Sequence, residues 1–170
     1  MVLIVSPLSR LLDLIAERSP SHVISLLSPE EMITTPPGFS PDRHLRLGVH
    51  DISQPQQGLI APDASTVEQI LAFGRDWTGD APMVVHCWAG VSRSTATAFV
   101  LACARNPQAD ERDIALKMRK AAPHAYPNRR IIALADEMLR RRGRMIEAVE
   151  AMGANLLVLE GSPFELDARH

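Results

Sequence analysis

The segment Val84–Ser94 constrains what this chain can fold into more than any other part of the sequence. An apolar run, Met83–Val85, is typical of a short buried strand. A loop follows with a cysteine at one end and an arginine near the other, and a helical pattern begins at about Ser94. A strand, a tight loop and a helix start form an anion cradle, because loop N–H groups turn inward and the helix N-terminus carries positive partial charge.

Two side chains in this loop supply chemistry to the cradle. Arg93 has a planar guanidinium group that can hold two oxygens of one phosphate. Cys87 lies at the base of the cradle, where the same positive field favours its thiolate form. The segment therefore predicts a nucleophile and an oxyanion clamp around a single site.

The pattern His86-Cys87-x5-Arg93-Ser94, with Gly90 inside it, resembles the signature loop of the cysteine-dependent protein tyrosine phosphatases. The alternative is a buried free cysteine beside a serine that caps a helix, which leaves the arginine, the glycine and the histidine unexplained. The short chain and its single tyrosine make a compact, dual-specificity-like domain of the bacterial type the expected subclass. The resemblance covers most of residues 23–139, strongly at the loop and loosely elsewhere.

Composition excludes several other classes of protein. The chain has 170 residues, enough for one domain with a sizeable core, and its net charge of −2 favours neither nucleic acid nor an anionic membrane as a partner. No apolar run approaches the length of a membrane span. The first ten residues lack a basic region followed by a long apolar core, so they are not expected to act as a signal peptide. Two cysteines make no disulfide framework, which fits a reducing, cytoplasmic compartment.

Alternating strand and helix patterns predict an α/β fold. Strands are expected at residues 2–5, 22–27, 44–49 and 83–85, and helices at residues 8–18, 65–77, 94–102, 110–121 and 129–142. This alternation implies a central, mostly parallel sheet of about four to five strands, flanked by helices on both sides. Residues 1–142 are expected to form this phosphatase-like domain, and residues 143–170 a C-terminal helical extension that packs on it.

The resemblance implies a reaction in two steps. Cys87 would attack phosphorus and form a cysteinyl-phosphate intermediate, while Arg93 and the loop N–H groups hold the three equatorial oxygens. This chemistry requires no cofactor and no metal, and no set of residues in the sequence is spaced to bind one. The expected phosphate-binding residues are Trp88, Ala89, Gly90, Val91, Ser92 and Arg93.

The leaving oxygen needs a proton, which phosphatases of this family take from an aspartate upstream of the cysteine. Asp51 follows the strand at residues 44–49, so it should reach the same edge of the sheet as the loop, and it is the expected general acid. Asp63 is the alternative, although a charge near the N-terminus of the next helix explains it without catalysis. That helix is expected to begin in a capping box formed by Ser65 and Glu68.

Four further residues have more than one possible role. Ser94 corresponds to the family hydroxyl that donates a hydrogen bond to the thiolate, and it can also cap the helix. His86 corresponds to the family histidine that fixes the loop and tunes the cysteine, or it is an ordinary core histidine. Trp88 can stack on an aryl phosphate at the rim or pack under a neighbouring loop. Cys103 is expected to be a small buried hydrophobe, with a regulatory disulfide to Cys87 as the alternative.

The uncharged residues inside the loop bear on the substrate. They argue against a polyphosphorylated lipid and favour a singly phosphorylated aryl group, on a phosphorylated protein or a small molecule. The expected activity is hydrolysis of phosphotyrosine, with phosphoserine and phosphothreonine as further candidates. The alternatives are a catalytically weak module that binds phosphopeptides and a rhodanese-like sulfur transferase. The arginines Arg140, Arg141, Arg142 and Arg144 are expected to lie solvated at a helix C-terminus, and the oligomeric state stays open.

Overall fold

A computed structural model describes residues 1–169. In this part of the chain five strands form one sheet: β1 (Val2–Pro7), β2 (His22–Leu27), β3 (His44–Gly48), β4 (Met83–Cys87) and β5 (Phe164–Asp167). The helices are α1 (Leu11–Arg18), α2 (Ala64–Asp76), α3 (Arg93–Arg105), α4 (Glu111–Ala121), α5 (Arg129–Met138) and α6 (Arg144–Ala151). The strand order is β3-β2-β4-β1-β5, in which β1 to β4 are parallel and β5 runs antiparallel to β1.

Helices cover both faces of the sheet. Ile4, Val23 and Val84 pack with residues of α1 on one face. The alternate residues of the same strands, such as Val5 and Val85, pack with α2 to α6 on the other face, because successive side chains of a strand point in opposite directions. The inner strands are therefore apolar on both sides, as parallel strands between two helical layers must be. The predicted α/β architecture is confirmed.

The register of the sheet brings the ends of the parallel strands together. Cys87 at the end of β4 pairs with Leu26 near the end of β2 and with Pro7 at the end of β1. Gly48, which ends β3, pairs with Leu27. The loops that follow β3 and β4 consequently leave the sheet at the same edge, which is where ligands bind in parallel α/β sheets.

The C-terminal region differs from the expected helical extension. Residues 144–151 do form a helix, α6, but the chain then runs without regular structure to residue 163 and ends in β5. Phe164 and Leu166 are buried there, while Glu165 and Asp167 are exposed, which is the alternation of a strand at a sheet edge. The helical extension is thus wrong beyond α6, because a four-residue alternation is too short to be recognised before its partner strand β1 is known.

One arginine of the expected solvated cluster lies in the core. Helix α5 ends at Met138, and the following turn carries Arg141 inward. Its guanidinium donates to the Glu111 carboxylate at 2.8 Å, and the two side chains are only 6% and 3% exposed. It also donates to the carbonyl oxygens of Cys103 at 2.6 Å and Pro107 at 3.1 Å. The prediction of a solvated side chain is therefore wrong for Arg141, which joins α3, α4 and the turn before α6.

Replacing Glu111 with alanine should destabilise the fold by about 3–5 kcal/mol, because the change leaves the buried Arg141 cation without its counter-charge. Urea denaturation followed by circular dichroism measures this loss. Arg144→Ala is the matched control, since Arg144 contacts the same carboxylate at 3.1 Å from a side chain that is 52% exposed. It should cost less than about 1 kcal/mol. Similar losses in both variants would contradict a dominant role for the buried pair.

Candidate active site

The loop between β4 and α3 presents its N–H groups to a cleft because its carbonyl groups are used elsewhere. Neighbouring segments donate backbone hydrogen bonds to four loop carbonyls, and no amide N–H of residues 88–92 donates a hydrogen bond within the described chain. Unpaired N–H groups on one loop form an anion site. The four pairs are Leu8 N to Trp88 O (3.1 Å), Gly161 N to Ala89 O (2.8 Å), Tyr126 N to Val91 O (2.9 Å) and Asn128 N to Ser92 O (3.2 Å).

Gly90 allows the loop to pass close to the end of β1. Its φ is +70°, a left-handed conformation that side-chain-bearing residues rarely adopt. A Cβ atom at this position would lie 2.6 Å from the backbone nitrogen of Pro7 and 2.7 Å from the carbonyl carbon of Ser6. Both features require glycine here, so Gly90 shapes the loop.

Cys87 lies at the base of the loop, beside the start of α3. The residue is 2% exposed, and its Sγ lies 3.1 Å from the Oγ of Ser94. The N-cap of α3 is Ser92, so the alternative that Ser94 caps this helix is wrong. Its hydroxyl instead contacts the sulfur, where it can donate a hydrogen bond to a thiolate.

Cys103 is too far along α3 to pair with Cys87. It lies ten residues into a helix that begins at Arg93, which places it about 15 Å along the axis from that start. A disulfide requires Cα atoms within about 7 Å, so the alternative of a bond to Cys87 is wrong. Burial raises the pKa of Cys103 to about 12, which makes it an unreactive core residue.

Arg93 is a buried cation whose binding capacity is only partly used. It is 5% exposed, and one terminal nitrogen, Nη1, donates to the carbonyl of Val49 at 2.7 Å. Its Nε is buried and has no partner among the described residues. A buried guanidinium with a free N–H beside unpaired loop amides is suited to an anion, because an oxyanion supplies both the counter-charge and the missing acceptor.

Asp51 lies against the loop. Its Oδ1 accepts hydrogen bonds from Ser92 Oγ at 2.6 Å and from Asn128 Nδ2 at 2.9 Å. Asn128 was not among the expected site residues, and it has two functions. Its Oδ1 accepts from the backbone N–H groups of Arg130 and Ile131 at the start of α5, while its Nδ2 holds Asp51.

Asp63 is used as the N-cap of α2. Its Oδ1 accepts from the backbone N–H of Thr66 at 2.9 Å, and the Thr66 hydroxyl accepts from the backbone N–H of Asp63 at 3.2 Å. The backbone N–H and the hydroxyl of Thr66 both donate to the Asp63 carboxylate and lower its pKa. The capping box expected at Ser65 and Glu68 is wrong, because Asp63 fills the cap two residues before Ser65. The structure does not bring Asp63 to the residues that line the cleft.

The cleft above Cys87 has a volume of about 460 Å³. Two aromatic residues stand at its rim, Trp88 at 54% and Tyr126 at 49% exposure. Trp88 is therefore not packed under a neighbouring loop, and its ring is free to meet a ligand. The cleft residues are Asp51, Ser53, Cys87, Trp88, Ala89, Val91, Ser92, Arg93, Tyr126, Asn128, Arg129 and Val158.

His86 precedes Cys87 and is fully buried. Burial lowers its pKa to about 4, so the ring is neutral near pH 7. Within residues 1–169, no group of three or more histidine, cysteine or acidic side chains is placed to hold a metal ion. None of the helices described here is long and apolar enough to cross a membrane.

Comparisons with known proteins place this site in a known fold. No protein-family model matches the chain, and no curated protein matches it. Solved structures do match. DUSP15 is 19% identical, with 88% of this chain and 89% of that chain covered and a TM-score of 0.58. Human DUSP28 is 17% identical, with 82% and 92% covered and a TM-score of 0.61. PTPMT1 in complex with PI(5)P is 13% identical, with 89% and 94% covered and a TM-score of 0.62.

The chain therefore has the fold of the cysteine-dependent dual-specificity and protein tyrosine phosphatases. The similarity spans most of this chain and most of each matched chain. The resemblance first seen at the loop is confirmed at the level of the fold.

Proposed function

We propose that this protein is a phosphomonoester hydrolase that acts on phosphotyrosine through a cysteinyl-phosphate intermediate. The observation that carries the proposal is the convergence of three groups on one cleft. They are the Cys87 sulfur, the unpaired Nε of buried Arg93 and the unpaired N–H groups of the loop residues that line the cleft. A nucleophile inside an oxyanion-binding loop is what attack on a phosphate monoester requires, since the loop offsets the charge that repels nucleophiles.

In the first step the Cys87 thiolate attacks phosphorus, so that an S–P bond forms as the ester P–O bond breaks. Asp51 donates a proton to the leaving oxygen from Oδ2, because Oδ1 is occupied by Ser92 and Asn128. In the second step a water molecule attacks the same phosphorus, and Asp51 accepts its proton. The S–P bond breaks, and the Ser94 hydroxyl stabilises the departing thiolate by a hydrogen bond.

The walls of the cleft support an aryl phosphate as substrate. Trp88 and Tyr126 present exposed rings at the rim, where they can stack on a phosphorylated ring. Within the loop, Trp88, Ala89 and Val91 offer no charged side chain that would bind a second phosphate. Arg129, from the start of α5, is a further cation in the cleft lining. Phosphotyrosine combines a single phosphate with an aromatic ring, and therefore fits both features.

Hydrolysis of para-nitrophenyl phosphate in the presence of EDTA and a reducing agent tests the proposal. We expect turnover that EDTA does not affect, with inhibition by inorganic phosphate. A folded protein that binds phosphotyrosine peptides without hydrolysing them would be a binding module. Transfer of sulfur from thiosulfate to cyanide, with no phosphatase activity, would instead establish rhodanese-like chemistry.

A further inference from the structure

A chain of buried hydrogen bonds crosses the sheet behind the nucleophile. The Ser25 hydroxyl, in the middle of β2, lies 2.5 Å from Nε2 of His86 on β4 and 2.7 Å from Nε2 of His44 on β3. The other ring nitrogen of His44, Nδ1, lies 3.1 Å from the hydroxyl of Thr35. Because Ser25 pairs with His86 in the register, one hydroxyl serves two imidazoles from adjacent strands.

The two histidine rings share the single hydroxyl proton of Ser25, so the protonation of one ring depends on that of the other. Burial lowers the pKa of both His44 and His86 to about 4, so each ring is neutral near pH 7 and carries one proton. Ser25 has a single hydroxyl proton and can donate it to only one of the two Nε2 atoms. The other Nε2 must then donate to the serine oxygen. One ring therefore carries its proton on Nε2, and the other ring carries its proton on Nδ1.

The surroundings of His86 favour one direction of this chain. Nδ1 of His86 is buried and forms no hydrogen bond of standard geometry among the described residues, but the backbone of Cys87 lies near enough to the ring to raise the pKa of His86. An acceptor there favours a proton on Nδ1, which leaves Nε2 to accept from Ser25. Ser25 then accepts from His44 Nε2–H, and His44 Nδ1 accepts from Thr35.

The charged groups near the two rings keep both histidines neutral and so do not change the direction of hydrogen bonding. Arg93 and the neighbouring His44 lower the pKa of His86, and Arg46 lowers that of His44. No carboxylate acts on either ring among the described residues. Each ring is therefore neutral near pH 7, where only its tautomer is open to control.

We propose that His44 and Ser25 are positioning residues for the nucleophile. They hold His86 in the tautomer with Nδ1–H directed at the backbone of Cys87, and so fix the strand end from which the phosphate-binding loop begins. The inference rests on the proposed role of Cys87 as the nucleophile. A positive N–H dipole and a fixed loop both favour the thiolate form of Cys87. Removing a hydrogen bond between Ser25 and either histidine should therefore raise the pKa of the Cys87 thiol.

The tautomers themselves provide the most direct test. Long-range nitrogen–proton correlation spectra of protein labelled with 15N-histidine distinguish the Nδ1–H and Nε2–H forms. At pH 7 we expect Nδ1–H for His86 and Nε2–H for His44 in the unmodified protein. The reverse pattern, or rapid averaging of His86 between both forms, would overturn the proposal without any substitution.

The pH dependence of alkylation by iodoacetamide tests the effect on Cys87, because only the thiolate reacts. Ser25→Ala and His44→Phe should move the midpoint of this profile upward by about one pH unit, which slows alkylation about tenfold below the midpoint. His44→Gln retains an N–H donor and should restore part of the shift. Cys87→Ser identifies any background from Cys103, which burial keeps unreactive.

His22→Phe is the matched control, since His22 lies on β2 outside this chain and contacts Ser21. It should leave the alkylation midpoint unchanged. Folded Ser25→Ala and His44→Phe proteins with an unmoved midpoint would show a packing role only and overturn the proposal. Alkylation requires no phosphate hydrolysis, so its midpoint can be measured even in a protein that lacks phosphatase activity. Failure of the proposed function can therefore be distinguished from failure of the positioning proposal.

Discussion

Cys87→Ser should lower the hydrolysis of para-nitrophenyl phosphate by at least about 10⁴-fold, to the background of the assay. The serine hydroxyl has nearly the size of the thiol but is not ionised near neutral pH, so no nucleophile attacks phosphorus. The anion site should remain, because Arg93 and the loop N–H groups are unchanged. Steady-state kinetics measure the first effect, and calorimetric titration with inorganic phosphate measures the second.

Cys103→Ala is the control for this substitution. Cys103 is as buried as Cys87, but it faces the core from the distal part of α3 and takes no part in the cleft. Its loss should leave a small cavity and reduce stability by about 1 kcal/mol, with activity within about twofold of the original. Full activity in Cys87→Ser would refute the cysteinyl-phosphate mechanism, whereas loss of activity in both variants would point to a general effect on folding.

Asp51→Asn should slow hydrolysis of a phosphotyrosine peptide by about 10²–10⁴-fold, the usual contribution of a general acid. Asparagine retains an oxygen that accepts from Ser92 and Asn128, so the geometry is preserved while the transferable proton is lost. Para-nitrophenyl phosphate should be affected much less, because its leaving group is a weaker base. Comparing kcat/KM for the two substrates isolates the missing proton from any loss of binding.

Asp63→Ala is the control that separates the two candidate acids. Loss of the cap on α2 should cost about 1 kcal/mol of stability without changing the ratio of activities on the two substrates. A substrate-dependent loss in Asp63→Ala, with none in Asp51→Asn, would transfer the role of general acid to Asp63. Equal slowing of both substrates in Asp51→Asn would indicate a role in binding or loop structure.

The sheet and the loop between β4 and α3 could be predicted because their signals are local. β1, β2 and β4 contain short apolar runs, and β3 alternates apolar and polar residues. Each of these four strands was expected within about two residues of its observed bounds. The residues of the loop are contiguous, so their spacing already defines a strand, an anion cradle and a helix start. The cap of α2 was also local information, but Ser65 and Glu68 supplied a competing pattern that concealed Asp63.

The sequence by itself determined an α/β sheet in which Cys87 and Arg93 share one loop, because strand periodicity and contiguous spacing follow from backbone geometry. Only the tertiary structure decided which aspartate reaches that loop, since Asp51 is held there by Asn128, 77 positions further along the chain. It also decided that Arg141 is buried against Glu111 and that His44 shares Ser25 with His86. Each of these roles depends on a partner that lies far away in the sequence and is brought close only by folding, so the local sequence does not predict it.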